Sequence, residues 1–262
     1  MNSTLNIAKK PNEIGAVSTV DLGMQRQQMN DALARFGIAE SHSVYARPRG
    51  RLLFGLDLTA SREESLEQAR IATASMFKAV AAIGNIKVKL AWYRGEDECK
   101  VGRWHDGSEF LCQSIRNLGC ESGCTQIGRI LRLALTETEK LSALVFVGDH
   151  CHDELDALPG LAKELGNKSV PIFIFHECRD GDKEARKSKP MFKTLAELSG
   201  GVYVEFKPNS GRVLRELLSN VAVFSAGGLE SIKELPVAWT REARNLQGQL
   251  RLMLGNSGSR KG

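Results

Sequence analysis

From Arg51 to Phe224 short apolar runs of strand length alternate with amphipathic stretches of helix length, and few folds accept that order. The runs are RLLFGLDLT, KVKLAWYRG, CKVGRWH, LSALVFVGD, VPIFIFHE and GVYVEF. LSALVFVGD is apolar without alternation, as expected of a strand covered on both faces, and so belongs at the centre of a sheet. KVKLAWYRG and CKVGRWH are separated only by a turn-like GEDE, which predicts a hairpin and one antiparallel strand. Helices are expected over Ser61–Ile83, with Leu66, Ala69, Ile71, Met76, Phe77 and Val80 on one face, and over Glu109–Leu118, Gln126–Leu135 and Asp153–Leu165. After a charged loop from Cys178 to Lys189, MFKTLAELS and Gly211–Phe224 supply two more. With helices as crossovers, the expected fold is α/β: a doubly wound, mostly parallel six-stranded sheet with one antiparallel edge strand and helices on both faces.

Ligands of such a sheet bind beyond the carboxyl ends of its strands, so the residues there carry the argument about function. The first run ends in Asp57-Leu58-Thr59-Ala60-Ser61, and the central run ends in Asp149. The loop GCESGCTQIG presents Thr125 just before a helix. Alternation along an extended segment sends Asp57, Thr59 and Ser61 to one side. Two carboxylates and three hydroxyls, without obligatory nitrogen or sulfur, are the ligand set of a hard cation such as Mg²⁺ or Mn²⁺. Hydroxyls donate no charge, so an ion neutralised only by two carboxylates still attracts one further anionic oxygen. Taken singly, each of these residues reads as an ordinary helix cap. Three separate loops offering the same oxygen chemistry favour the metal.

In these residues the chain resembles a von Willebrand factor A (vWA) domain with a metal-ion-dependent adhesion site. Asp57, Thr59 and Ser61 match its D-x-S-x-S motif with Thr59 in place of the first Ser, Thr125 matches its second-loop Thr, and Asp149 its third-loop Asp. His150 stands where the family often has Gly. The resemblance covers about Arg51 to Phe224 and implies a Rossmann-like domain over 50–226; it explains neither the polar, aromatic-poor N-terminal arm (1–46), where apolar spacing over Gly23–Ile38 predicts one short helix, nor the C-terminal extension (227–262). It also implies that the five residues hold Mg²⁺ or Mn²⁺ and that the ion recognises an Asp or Glu of a protein partner. Intracellular members resemble adaptors that recruit substrate to AAA-type ATPases.

Cys120, Cys124, His150, Cys151 and His152 flank the same loops and suggest a soft-metal or redox cluster for Zn²⁺, although no C-x-x-C pair is present. His176 and Cys178 close the next strand. In the extension, Trp239, Ala243, Leu246, Leu250, Met253 and Leu254 recur at steps of three and four, with arginines opposite and a local excess of +4 from Thr240 onward. Such a helix docks on the domain, binds a partner helix or contacts nucleic acid; a solvated basic face is the default. Phosphate-loop, H-E-x-x-H and nucleophile-elbow motifs are absent, so an enzyme is not expected. The alternatives are a nucleic-acid-associated module and a metal-dependent hydrolase. No run approaches a membrane span, no secretory signal opens the chain, and six cysteines read as reduced thiols, which together predict a cytoplasmic protein.

Overall fold

The computed structural model describes residues 50–83, 86–105, 113–208, 210–233 and 237–258, with the side chains at 73, 75–83, 229–230 and 254–258 excepted. The expected arm helix, part of the Glu109–Leu118 helix and Leu254's side chain lie outside those residues. Strands β1 (Gly50–Asp57), β2 (Ile86–Arg94), β3 (Glu98–His105), β4 (Ala143–Gly148), β5 (Ile172–Glu177) and β6 (Val202–Phe206) form one sheet in the order β3-β2-β1-β4-β5-β6. All pairs are parallel except β2 with β3. The strand sequence runs outward one way from β1 and the other way from β4. The crevice at the carboxyl ends of those two strands is therefore the topological switch point.

Among the described residues the helices on the sheet include α1 (Glu63–Ile83), α2 (Ile127–Thr136), α3 (Leu158–Asn167), α4 (Lys183–Ser199), α5 (Gly211–Lys233) and α6 (Arg241–Gly258). Every residue of β4 and β5 is buried, because alternate side chains enter two separate cores. Phe54, Leu56, Val145, Val147 and Phe175 pack with α1, α5 and α6. Leu53, Leu144, Phe146 and Ile174 pack with α2, α3 and α4. The continuous apolar run expected at the centre is β4, between β1 and β5. Helix α6 docks on the domain: Ala243, Leu246 and Leu250 join the first core, while Arg244 donates to the carbonyls of Ala238 and Trp239. No helix among the described residues is long and apolar enough to cross a membrane.

Some local expectations are corrected. Ile71 is 47% exposed and Ala72 is buried instead, because five residues from Leu66 is about 140° round a helix and so off its face. Trp239 precedes α6 and is 72% exposed, with Arg212 over its ring. Helix α3 begins at Leu158, with Pro159 in its first turn, rather than at Asp153. Helix α4 begins at Lys183 and runs through Pro190, so half of the expected charged loop is helical. Its start is fixed by Asp182, whose Oδ1 accepts from the backbone N–H of Glu184 and Ala185. Helix α5 continues beyond Phe224 to Lys233, broken at Gly228 by a left-handed φ of 70°.

Candidate functional site

Three loops meet above the switch point. The first leaves β1 through Leu58 and Thr59 into a 3-10 turn, Ala60–Arg62. The second, ahead of α2, is stitched to it by the Glu121 N–H, which donates to the Leu58 carbonyl, and to the β2–β3 turn by the Cys124 N–H, which donates to the Gly95 carbonyl. Gly123 is pressed so tightly on that turn that a Cβ there would stand 2.0 Å from the Gly95 carbonyl. Gly123→Ala is therefore expected to push the Thr125 loop outward at a cost of about 2 kcal/mol, read by urea denaturation. A stability equal to wild type would contradict that packing. The third loop follows β4, where a Cβ on Gly148 would lie 3.1 Å from that of Asp57, so the ends of β1 and β4 are in close contact. Asp57 and Asp149 are both buried in this crevice, and each acts electrostatically on the other's surroundings.

Thr59, Ser61, Thr125, His150, His152 and Asp153 are among the residues around a cavity of about 540 Å³ between the loops. A larger groove of about 830 Å³ runs along β6 between α4 and α6, but none of the five expected ligands reaches it. The hydroxyls are not used as helix caps: Thr59 and Gln126 hold the cap positions and neither makes a side-chain cap bond. Thr59 donates its hydroxyl to Asp57 Oδ1 at 2.7 Å, and its Oγ1 lies 3.1 Å from that of Ser61, which is thus the donor to it. Thr125 donates to Asp153 Oδ1 at 3.0 Å and accepts from the His152 N–H at 2.9 Å. Each hydroxyl oxygen consequently keeps at least one lone pair uncommitted.

The two carboxylates differ. Asp57 accepts from the Thr59 N–H and hydroxyl on Oδ1 and from the Tyr93 hydroxyl on Oδ2. Asp149 Oδ1 is buried and has no hydrogen-bond partner among the described residues; Nδ1 of the His150 ring lies 3.7 Å away. A buried carboxylate oxygen without a partner is costly unless something else satisfies it. A hard cation fits this oxygen-only donor set.

Burial, and after it the Asp149 carboxylate, push Asp57 from 3.8 up to about 6, against the lowering pull of Arg62 and the Thr59 donors. Burial also raises Asp153, opposed by the Gly128 N–H and Thr125, and raises Tyr93. The sign follows from Asp57 holding its proton more tightly folded than unfolded. In metal-free protein its ionisation costs little well below pH 3.8, and a full cost of about 3 kcal/mol is present above about pH 6. In chelator, Asp57→Asn should therefore gain stability relative to wild type as the pH rises through that window. Urea midpoints with a constant difference across it would contradict the assignment.

Sequence reasoning missed Asp153, which bridges the second and third loops by also accepting from the Gly128 N–H. It missed Tyr93, placed beside Asp57 by the β1–β2 register, and Arg62, whose guanidinium is buried beneath the site with Glu177. The register was the only available signal for Tyr93. The suggested soft cluster does not assemble. Cys120 packs against one core and Cys151 lies in the other, across the sheet. Burial pushes both thiols to about 12. Cys124, His150 and His152 stay at the cavity, but His150 is held by Asp182 at 3.0 Å. No group of three His, Cys, Asp or Glu among the described residues is placed to hold a metal. His176 is interior, between the Asp149 carbonyl and the Tyr203 hydroxyl, and burial lowers its pKa. Cys178 is buried beside it.

Compared with known proteins, the chain matches no family model and no curated protein. Its fold is matched by solved vWA domains. A von Willebrand factor type A protein from Catenulispora acidiphila aligns at TM-score 0.53 and 14% identity over 68% of this chain and 43% of that one. The SpRpn10 VWA domain aligns at 0.51 and 15% over 68% and 97%. The pilus adhesin SpaC from Lactobacillus rhamnosus GG aligns at 0.56 and 11% over 67% of this chain and only 30% of its own length. The chain thus has a vWA-like fold.

Proposed function

We propose that the protein is a non-enzymatic interaction module that holds Mg²⁺ or Mn²⁺ through Asp57, Thr59, Ser61, Thr125 and Asp149 and uses it to recognise an acidic residue of a protein partner. The observation that carries this is the bare, buried Oδ1 of Asp149 at a switch point ringed by hydroxyls with free lone pairs. When bound, the cation would supply a Lewis-acidic corner for a visiting carboxylate. Asp57, already holding three donors, keeps one acceptor position toward it, and Asp153 orients Thr125. Neighbours that include a VWA domain and a pilus adhesin support an interaction role by analogy of fold. The partner class we favour is an AAA-type ATPase to which a cytoplasmic adaptor brings substrate.

The basic tail gives the nucleic-acid alternative little support, because the apolar side of α6 is packed in the core and Arg244 is committed to backbone carbonyls. A pull-down with wild type and Asp149→Ala, each in magnesium and in chelator, tests the reading. Proteins retained only by wild type in magnesium support it, and the same set retained in all four samples overturns it. A magnesium-dependent set without an AAA-type ATPase overturns that part alone.

A further inference from the structure

We infer that Arg62 is a built-in counter-cation of the site: in the metal-free protein it balances Asp57 and Asp149, and it opposes a divalent ion entering among them. The second half rests on the cation-binding reading above; the first half does not.

Arg62 heads the largest fully buried side chains among the described residues. Its Nη1 donates to the carbonyls of Asp57 at 3.0 Å and Val147 at 2.9 Å, at the ends of β1 and β4. Its Nη2 donates to Glu177 Oε2 at 3.0 Å, at the end of β5. One guanidinium therefore ties three strand ends directly under the crevice. Four ionisable groups, Asp57, Arg62, Asp149 and Glu177, are at most 2% exposed there. Charges buried to that degree persist only when they are paired. Burial works to neutralise Arg62, yet Glu177, Asp57 and Asp149 together more than offset it.

Glu177 does not account for the arrangement by itself. Glu177 Oε1 and Arg62 Nε have no hydrogen-bond partner among the described residues, so the pair is not a fully satisfied bidentate fork. The carbonyls of Asp57 and Val147 take Nη1, which sets the guanidinium against the ends of β1 and β4, and from there the charges of Asp57 and Asp149 act on it through space. An ion bound between those carboxylates would share them with Arg62, and two cations in one low-dielectric cluster repel. The consequence is an exchangeable cation and a fold that stands without it.

The test has two arms. At about pH 8 in chelator, above the value of about 6 for Asp57, thermal midpoints are compared for wild type, Arg62→Gln, Asp149→Asn and the double variant. Arg62→Gln should lower the midpoint by about 3 °C less when Asp149 is already neutral. An equal drop in both backgrounds overturns the counter-cation role. Calorimetric titration with Mn²⁺ then compares Arg62→Gln with Glu177→Gln. The first should bind about tenfold more tightly than wild type, and the second more weakly, because it leaves the Arg62 charge uncompensated. A purely structural clamp would weaken both alike, which overturns the inference. If Arg62→Gln does not fold, Arg62→Lys replaces it: keeping the charge should leave Mn²⁺ affinity within about threefold of wild type, and a loss as large as that of Glu177→Gln overturns the inference. Absence of Mn²⁺ binding in every sample removes the cation reading and the second half with it, and the midpoints still decide the first.

Discussion

Asp149→Ala is expected to lower Mn²⁺ affinity by at least about a hundredfold while changing the stability of the metal-free protein by no more than about 1 kcal/mol. Loss of an outer-shell partner alone weakens metal sites by about ten- to a hundredfold, and Asp149 supplies one of only two carboxylates in the donor set. The two halves are linked by the same atom. Oδ1 makes no hydrogen bond that alanine would forfeit, and the attraction to Arg62 that is lost is set against the relief of a like charge beside the buried Asp57. Calorimetry and urea denaturation in chelator read the two halves separately. Retained affinity would remove Asp149 from the site, and affinity lost together with stability would make its role structural.

The second large effect lies in the core beneath. Phe146 is fully buried at the middle of β4, with its ring 6.2 Å from that of Tyr93 and 5.8 Å from that of Phe192. Phe146→Ala should cost about 4 kcal/mol, the lost transfer energy plus the cavity left between two helices and the sheet. The cavity also removes the surface that holds Tyr93, whose hydroxyl orients Asp57, so Mn²⁺ affinity should fall as well, by less than about tenfold. Ile71→Ala, on the exposed side of α1, should stay within about 0.5 kcal/mol of wild type. A comparable loss for both would mean that β4 is not the centre of the fold.

The sheet was legible because strand-length runs state their own burial. LSALVFVGD, apolar on both parities, had to be covered on both faces, and GEDE left no room for a crossover between β2 and β3. Helix boundaries were less legible. Pro190 reads as a helix breaker, yet the Asp182 cap and the burial of Ala185, Ser188 and Phe192 carry α4 through it. In the site, Asp57, Thr59, Ser61, Thr125 and Asp149 stood out because strand ends are where ligands gather. Tyr93, Arg62 and Glu177 did not. Their roles depend on register and on contacts such as Arg62 to Glu177, 115 residues apart in the chain. The cysteine and histidine cluster misled for the complementary reason. Cys151 and His152 are neighbours in sequence, but one turns into the core and the other toward the cavity.

A crystal grown with Mn²⁺ and measured where manganese scatters anomalously addresses the central claim most directly. The expected result is one strong peak in the crevice between β1 and β4, within coordination distance of the hydroxyl oxygens of Thr59, Ser61 and Thr125. A peak held instead by His150 and His152, or none in the crevice at saturating Mn²⁺, would contradict it.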